Sequence, residues 1–210
     1  YEMLRSLVGS EMCIRDSYDK IVTEDIQETL IKSAADLITE ETPNYQYVAG
    51  RLINYHLRKM VYNTFEPPCL CDIVQDNIDK GFYDPEFTEL FTKEEINELQ
   101  SFIDHSRDEY LTYAAMEQFR GKYLVQNRAT GEIFETPQVA YMMIAATLFA
   151  KYPAETRMGY IKRYYDAISR FKISLPTPVM AGVRTAQRQF SSCVLIATDD
   201  SLDSINATAS

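Results

Sequence analysis

Pro43 divides two stretches of helical periodicity, and this constrains the whole amino-terminal third of the chain. Upstream, Ile26, Leu30, Ala34, Leu37 and Ile38 recur at the spacing of one helix face between Thr23 and Thr42. Thr23 is placed to cap that helix, with Glu24 and Asp25 in the first turn, where the helix dipole favours anions. Proline disfavours helical conformation in the residue before it, so the helix is expected to stop at Pro43. Downstream, Val48, Leu52 and Tyr55 give an inward face to a second helix from about Asn44 to Asn63. So short a link makes the two helices antiparallel. The start of the first then lies beside the end of the second, which puts Thr23 near Lys59. A helix N-terminus, a hydroxyl and a lysine can hold a phosphate, although an ordinary cap and a solvated lysine have the same signature.

Further along, Phe65-Glu-Pro-Pro68 is a rigid turn, followed by a helix from about Cys69 to Lys80 that Gly81 closes. Cys69 and Cys71 lack further His or Cys ligands at zinc spacing and are too close for a relaxed disulfide in regular structure, so both read as structural. Thr92-x-x-Glu95 is a capping box opening a helix that runs to about Asp104. Asp104, Arg107 and Asp108 read as a solvated, salt-bridged surface. His56 and His105 sit in helical context and are assigned no role. Tyr123–Asn127 and Glu132–Glu135 flank Arg128-Ala-Thr-Gly131 as a β-hairpin with glycine at its turn. Thr136 caps and Pro137 opens a helix to about Lys151, with Met142, Met143, Leu148 and Phe149 as a core face. After Pro153 another helix runs to about Phe171, with Tyr160, Tyr164, Tyr165 and Phe171 as packing groups. Tyr1 to Ser17 looks foreign to the rest and is expected to be a disordered arm, leaving Cys13 without a role.

A formal net charge of -10 argues against binding a phosphate polymer, so no nucleic-acid partner is expected, while a small nucleotide could still meet a locally positive pocket. Four irregularly spaced cysteines do not form a secreted disulfide framework and suit a reducing cytoplasm. The most apolar run, Val139 to Ala150, is too short to span a membrane, and no membrane partner is expected.

The stretch from Lys172 to Ser210 carries the chemistry. Its centre, Phe190-Ser-Ser-Cys-Val-Leu-Ile196, is a short β-branched and aromatic run that reads as a buried strand. One thiol in such a strand ordinarily packs a core. The order of Ile173-Ser-Leu-Pro-Thr-Pro178, Gly182-Val-Arg-Thr185, Arg188-Gln-Phe-Ser-Ser-Cys193 and Asp200-Ser-Leu-Asp-Ser-Ile-Asn206, however, resembles the large, catalytic subunit of class I ribonucleoside-diphosphate reductase. The likeness extends back to about Tyr18. That enzyme is much longer, so the resemblance implies an N-terminal fragment with no turnover of its own.

The resemblance implies a mainly α fold with a small β-hairpin: a partial ATP-cone over 18–66, a helical domain over 67–171, and from 172 to 210 the first strand of a truncated ten-stranded α/β barrel. It implies reduction of ribonucleoside diphosphates by a radical mechanism with a redox-active cysteine pair. Cys193 would be one member of that pair, its partner lying elsewhere, and Thr177 and Ser192 would contact the substrate. Asp200, Ser201 and Leu202 would open the allosteric specificity site, and Thr23 and Lys59 would belong to the activity site that senses ATP against dATP. Gln27 stands where some relatives carry histidine. The implied partners are a radical-supplying, metal-containing small subunit, a second copy of the chain, dNTP effectors, and thioredoxin or glutaredoxin as reductant. No metal is assigned to this chain. The competing readings are an ATP/dATP-sensing module without catalysis, in which Cys193 has no role, and a helical interaction protein with a structural thiol.

Overall fold

The computed structural model describes residues 21–188 and 190–209, and the arm expected over 1–17, with Cys13, lies outside them. The first two helices are α1 (Thr23–Asp36) and α2 (Tyr45–Tyr62). They pack against one another along their lengths. α1 ends well before Pro43. After Asp36 the Thr42 hydroxyl donates to the Leu37 carbonyl at 2.6 Å and bonds the Thr39 hydroxyl at 2.8 Å. These threonines offer the backbone an alternative to continuing the helix. Thr23 is not the cap: the extended Val22 holds that position, no side chain caps the end, and Thr23 is the first helical residue.

The chain continues through α3 (Leu70–Asp79), α4 (Glu86–Leu90) and α5 (Lys93–Phe102). Gly81 at φ +76° closes α3, and the Phe82 amide donates to the Asn77 carbonyl at 2.8 Å. The capping box forms as expected: the Glu95 amide donates to Thr92 Oγ1 at 3.2 Å and the Thr92 amide to Glu95 Oε2 at 2.9 Å. A 3₁₀ turn (His105–Tyr110) leads to α6 (Tyr113–Gln118), which widens into a π turn over Phe119–Tyr123. Tyr123 therefore lies in a helical turn. Beyond it the chain doubles back around Gly131 (φ +78°), with one isolated antiparallel bridge, Gln126 to Ile133.

α7 (Pro137–Phe149) is the axis of the domain, and α8 (Ala154–Ser169) packs alongside it. Every residue from Pro137 to Ala146 is buried, which is what a helix apolar on all sides requires. Met142 and Met143 are inside, while Leu148 is exposed at the helix end. Tyr165 is buried, but Tyr160 and Phe171 are exposed and do not fill the core. No helix among the described residues is long and apolar enough to cross a membrane.

Two short helices, α9 (Thr177–Gly182) and α10 (Leu202–Ala209), complete the chain. The buried strand expected over Phe190–Ile196 is not found: this stretch joins no ladder, and Val194, Leu195 and Ile196 are 79, 99 and 65% exposed. A strand needs a neighbour for its backbone groups, and none of the described residues supplies one.

Asp108 also departs from the solvated reading, being fully buried. It accepts from Gln138 Nε2 at 2.9 Å and Arg58 Nη2 at 3.2 Å. Gln138 Oε1 accepts from the Tyr165 hydroxyl at 2.7 Å, and that hydroxyl accepts from the Asp104 amide at 2.9 Å. One polar chain thus ties α2, the 3₁₀ turn, α7 and α8 together. Burial pushes the Asp108 carboxyl up to about 6, against its hydrogen bonds from Gln138 and Arg58. Burial, helped by Arg58, pushes the His105 imidazole down to about 4.

Gly50 of α2 lies against the backbone of Leu111 and Thr112, where a Cβ would collide with main-chain atoms that cannot swing away. Gly50→Ala is expected to cost about 1–3 kcal/mol in urea unfolding at unchanged fold; a midpoint equal to wild type would contradict this packing. On acidification from pH 6 to 4 the folded Asp108 holds more protons than the unfolded one, which favours folding, whereas His105 takes up its proton first in the unfolded chain, which favours unfolding. Asp108→Asn removes only the first effect. The variant should lose about 2–3 kcal/mol more than wild type over that range, and parallel stability–pH curves would refute the assignment.

Candidate functional site

The segment that carries the sequence-singled residues is held to the helical body by one buried charge. Arg184, just beyond α9, is 1% exposed and makes a fork of hydrogen bonds. Nε reaches both oxygens of the buried Glu135 carboxylate, at 3.0 and 2.8 Å, and Nη2 bonds the same carboxylate. Nη1 donates to the Met180 carbonyl at 2.6 Å and Nη2 to the Tyr123 carbonyl at 2.9 Å. Glu135 also accepts from the Tyr83 hydroxyl at 2.5 Å and the Val125 amide at 2.7 Å. Burial opposes the guanidinium charge, but Glu135 and Tyr83 more than offset it and hold Arg184 above its usual range. Burial, then Glu135, pushes the Tyr83 phenol well up. The Asp84 amide donates to the Arg184 carbonyl at 3.0 Å, and Arg188 binds Asp84 at 2.5 Å and also Glu86.

Around this anchor lies an open groove of about 620 Å³ between α9 and the Gln126–Ile133 turn, with Val125, Arg128, Pro178, Gly182 and Thr185 among its lining. Thr177 is the exposed first residue of α9. Ser192 and Cys193 are exposed, with the Ser192 hydroxyl 3.8 Å from the Cys193 sulfur and the Ser191 hydroxyl donating to the Cys193 carbonyl at 2.9 Å. None of Thr177, Ser192 and Cys193 lines the groove. Ser201 caps α10: its hydroxyl accepts from the Ser204 amide at 3.2 Å, and the Ser204 hydroxyl accepts from the Asp199 amide at 3.0 Å. Asp200 and Leu202 beside it are exposed.

At the other end, the cleft beside the start of α1 and the end of α2 encloses about 440 Å³, lined in part by Glu24, Asp25, Glu28, His56 and Arg120. Arg120 clamps Glu28 at 2.7 Å and Glu117 at 2.9 Å, joining α1 to α6 and its π turn. The Arg120 hydrogen bond holds the Glu28 carboxyl below its usual range, and burial lowers the His56 imidazole against the pull of Glu28. Three carboxylates make this cleft repel phosphate. Thr23 and Lys59 do not line it. The Lys59 amine donates to the Asn63 carbonyl at 3.2 Å and lies 5.5 Å from the centre of the Phe65 ring, which stacks on Tyr55. No hydrogen bond joins Thr23 to Lys59. Spacing along the sequence could not reveal Glu135 as the partner of Arg184, 49 residues on. The one signal was Arg184 within the Gly182-Val-Arg-Thr185 phrase.

Residues 109–188 match the family model described as ribonucleotide reductase, all-alpha domain. The chain is 59% identical over 193 residues to ribonucleoside-diphosphate reductase 1 subunit alpha of Escherichia coli (strain K12), an alignment covering 92% of this chain and 25% of that protein. It is 58% identical over 193 residues to the subunit alpha of Haemophilus influenzae, covering 92% and 26%. Against the subunit alpha of Enterobacteria phage T4 it is 47% identical over 188 residues, covering 90% and 25%. The chain spans about a quarter of the length of these curated relatives. Identity this high across nine-tenths of the chain makes it similar to about a quarter of each of these ribonucleoside-diphosphate reductase alpha subunits.

Proposed function

We propose that this chain serves, within a ribonucleoside-diphosphate reductase large subunit, in the cytoplasmic reduction of ribonucleoside diphosphates to deoxyribonucleoside diphosphates. The observation that carries the reading is its identity to subunits of that name. The chemistry removes the hydroxyl at ribose C2′ as water. A radical at C3′, raised by way of a metal-containing small subunit, weakens the C2′ bond, and two thiols give up two electrons as they join in a disulfide. Cys193 is one of those thiols. Its exposure beside Ser192 leaves the sulfur free to meet a sugar and its second thiol, and Thr177 and Ser192 orient the nucleotide. Thioredoxin or glutaredoxin restores the dithiol.

The exposed Val194, Leu195 and Ile196 are the kind of surface that a neighbouring strand covers, in keeping with a barrel strand that begins in the 172–210 domain. Asp200, Ser201 and Leu202 belong to the specificity site, and the cap on α10 by Ser201 sets the shape of that turn. In the partial cone over 18–66, the nucleotide is held outside the acidic cleft, whose lining includes neither Thr23 nor Lys59. There Lys59, braced on Phe65, supplies the positive charge and the start of α1 at Thr23 the amides. The 67–171 domain is the rigid body on which both sites are mounted.

The test is a chimera in which residues 21–209 replace the matching quarter of the E. coli subunit alpha, assayed with its own small subunit. The chimera is expected to reduce CDP, and Cys193→Ser to lower turnover roughly a thousandfold or more. Turnover that survives Cys193→Ser overturns the assignment. In the same chimera Lys59→Ala should weaken dATP binding about tenfold or more at the activity site alone; unchanged affinity would remove Lys59 from it.

A further inference from the structure

Cys69 and Cys71 point at one atom. Cys69 is the N-cap residue of α3 and Cys71 the second residue of that helix. Their sulfurs lie 3.9 and 3.2 Å from Asn97 Oδ1 on α5, and Cys71 is also 3.8 Å from the Lys93 carbonyl. Both are half-buried free thiols, and Asn97 and Lys93 are exposed, so the pair can be reached from solvent. The thiols also meet each other: burial, then the charge and hydrogen-bonding contact of Cys69, pushes the Cys71 thiol up, while Lys93 pulls it down.

This arrangement selects its ligand by number and softness. No group of three or more His, Cys, Asp or Glu among the described residues could hold a metal ion, so a tetrahedral zinc centre is not supplied. Two adjacent thiolates match a soft cation content with two sulfur ligands, and thiolate ligands select Cu(I). The start of a ten-residue helix favours the negative charge that a bis-thiolate complex carries, and Lys93 adds to it. We propose that Cys69 and Cys71 form a two-thiolate site for a soft, monovalent d¹⁰ cation of the Cu(I) class. Two S–H bonds break, two sulfur–metal bonds form, two protons leave and no electron is transferred. Asn97 Oδ1 gives up both thiol donors and, being exposed, takes water in their place.

The test uses the 210-residue chain carrying Cys13→Ser and Cys193→Ser, so that only this pair remains. Cu(I) is titrated anaerobically against the chromophoric chelator bicinchoninate. The expected result is one Cu(I) per chain, with affinity falling by about a hundredfold or more in either C69S or C71S, because the second thiolate acts at high effective concentration. Affinity should rise with pH as about two protons are released per ion. Failure of the pair to compete with the chelator, or retention of affinity within about threefold after loss of one thiol, overturns the site. Should C71S not fold, C69S, whose thiol makes only the longer contact, decides the question.

Discussion

The buried pair of Arg184 and Glu135 is the interaction on which the arrangement of this chain depends. It joins the segment after α9 to Glu135, two residues before the start of α7, the most deeply buried helix, and it draws in Tyr83 from the α3–α4 link and the carbonyl of Tyr123. A guanidinium and a carboxylate taken fully out of water lose several kcal/mol of hydration each, and only a complete set of partners recovers it. Here the set is extensive: the guanidinium meets the carboxylate and two carbonyls, and the carboxylate also meets a phenol and an amide. The direction in which the chain leaves the helical body toward Cys193 is thereby set at Arg184.

Local signals were legible and long-range polar ones were not. Thr92 and Glu95 announced their helix because a capping box is complete within four residues, and Gly81 announced the end of α3 because a positive φ suits glycine. The burial of Val139–Ala146 followed from a run apolar on every side. Asp108, by contrast, was read as surface because its sequence neighbours are charged. Its real environment is made by Arg58 and Gln138, brought in by α2 and α7. The end of α1 was misplaced because Thr39 and Thr42 turn the chain before Pro43 can.

For the candidate site, the phrases around Thr177, Cys193 and Asp200 gave residue identities but no shared geometry. Periodicity reads Phe190–Ile196 as a buried strand, yet burial of a strand depends on a partner that lies elsewhere in space, and these apolar side chains face solvent. The acidity of the cleft beside α1 was present in Glu24, Asp25 and Glu28, but only the packing of Arg120 and His56 around it shows that the carboxylates line a cavity away from Lys59. The internal polar links of the helical body hold the segment after α9 through Arg184 and the start of α1 through Glu28.

The coupling of Arg184 to Glu135 is tested most directly by a double-mutant cycle measured by urea unfolding. Arg184→Met alone leaves a buried carboxylate unpaired and is predicted to cost about 3–5 kcal/mol, while Arg184→Met with Glu135→Met is predicted to recover most of that loss. A single variant within about 1 kcal/mol of wild type, or a double variant no more stable than the single one, would contradict the claim that this pair secures the segment to the body.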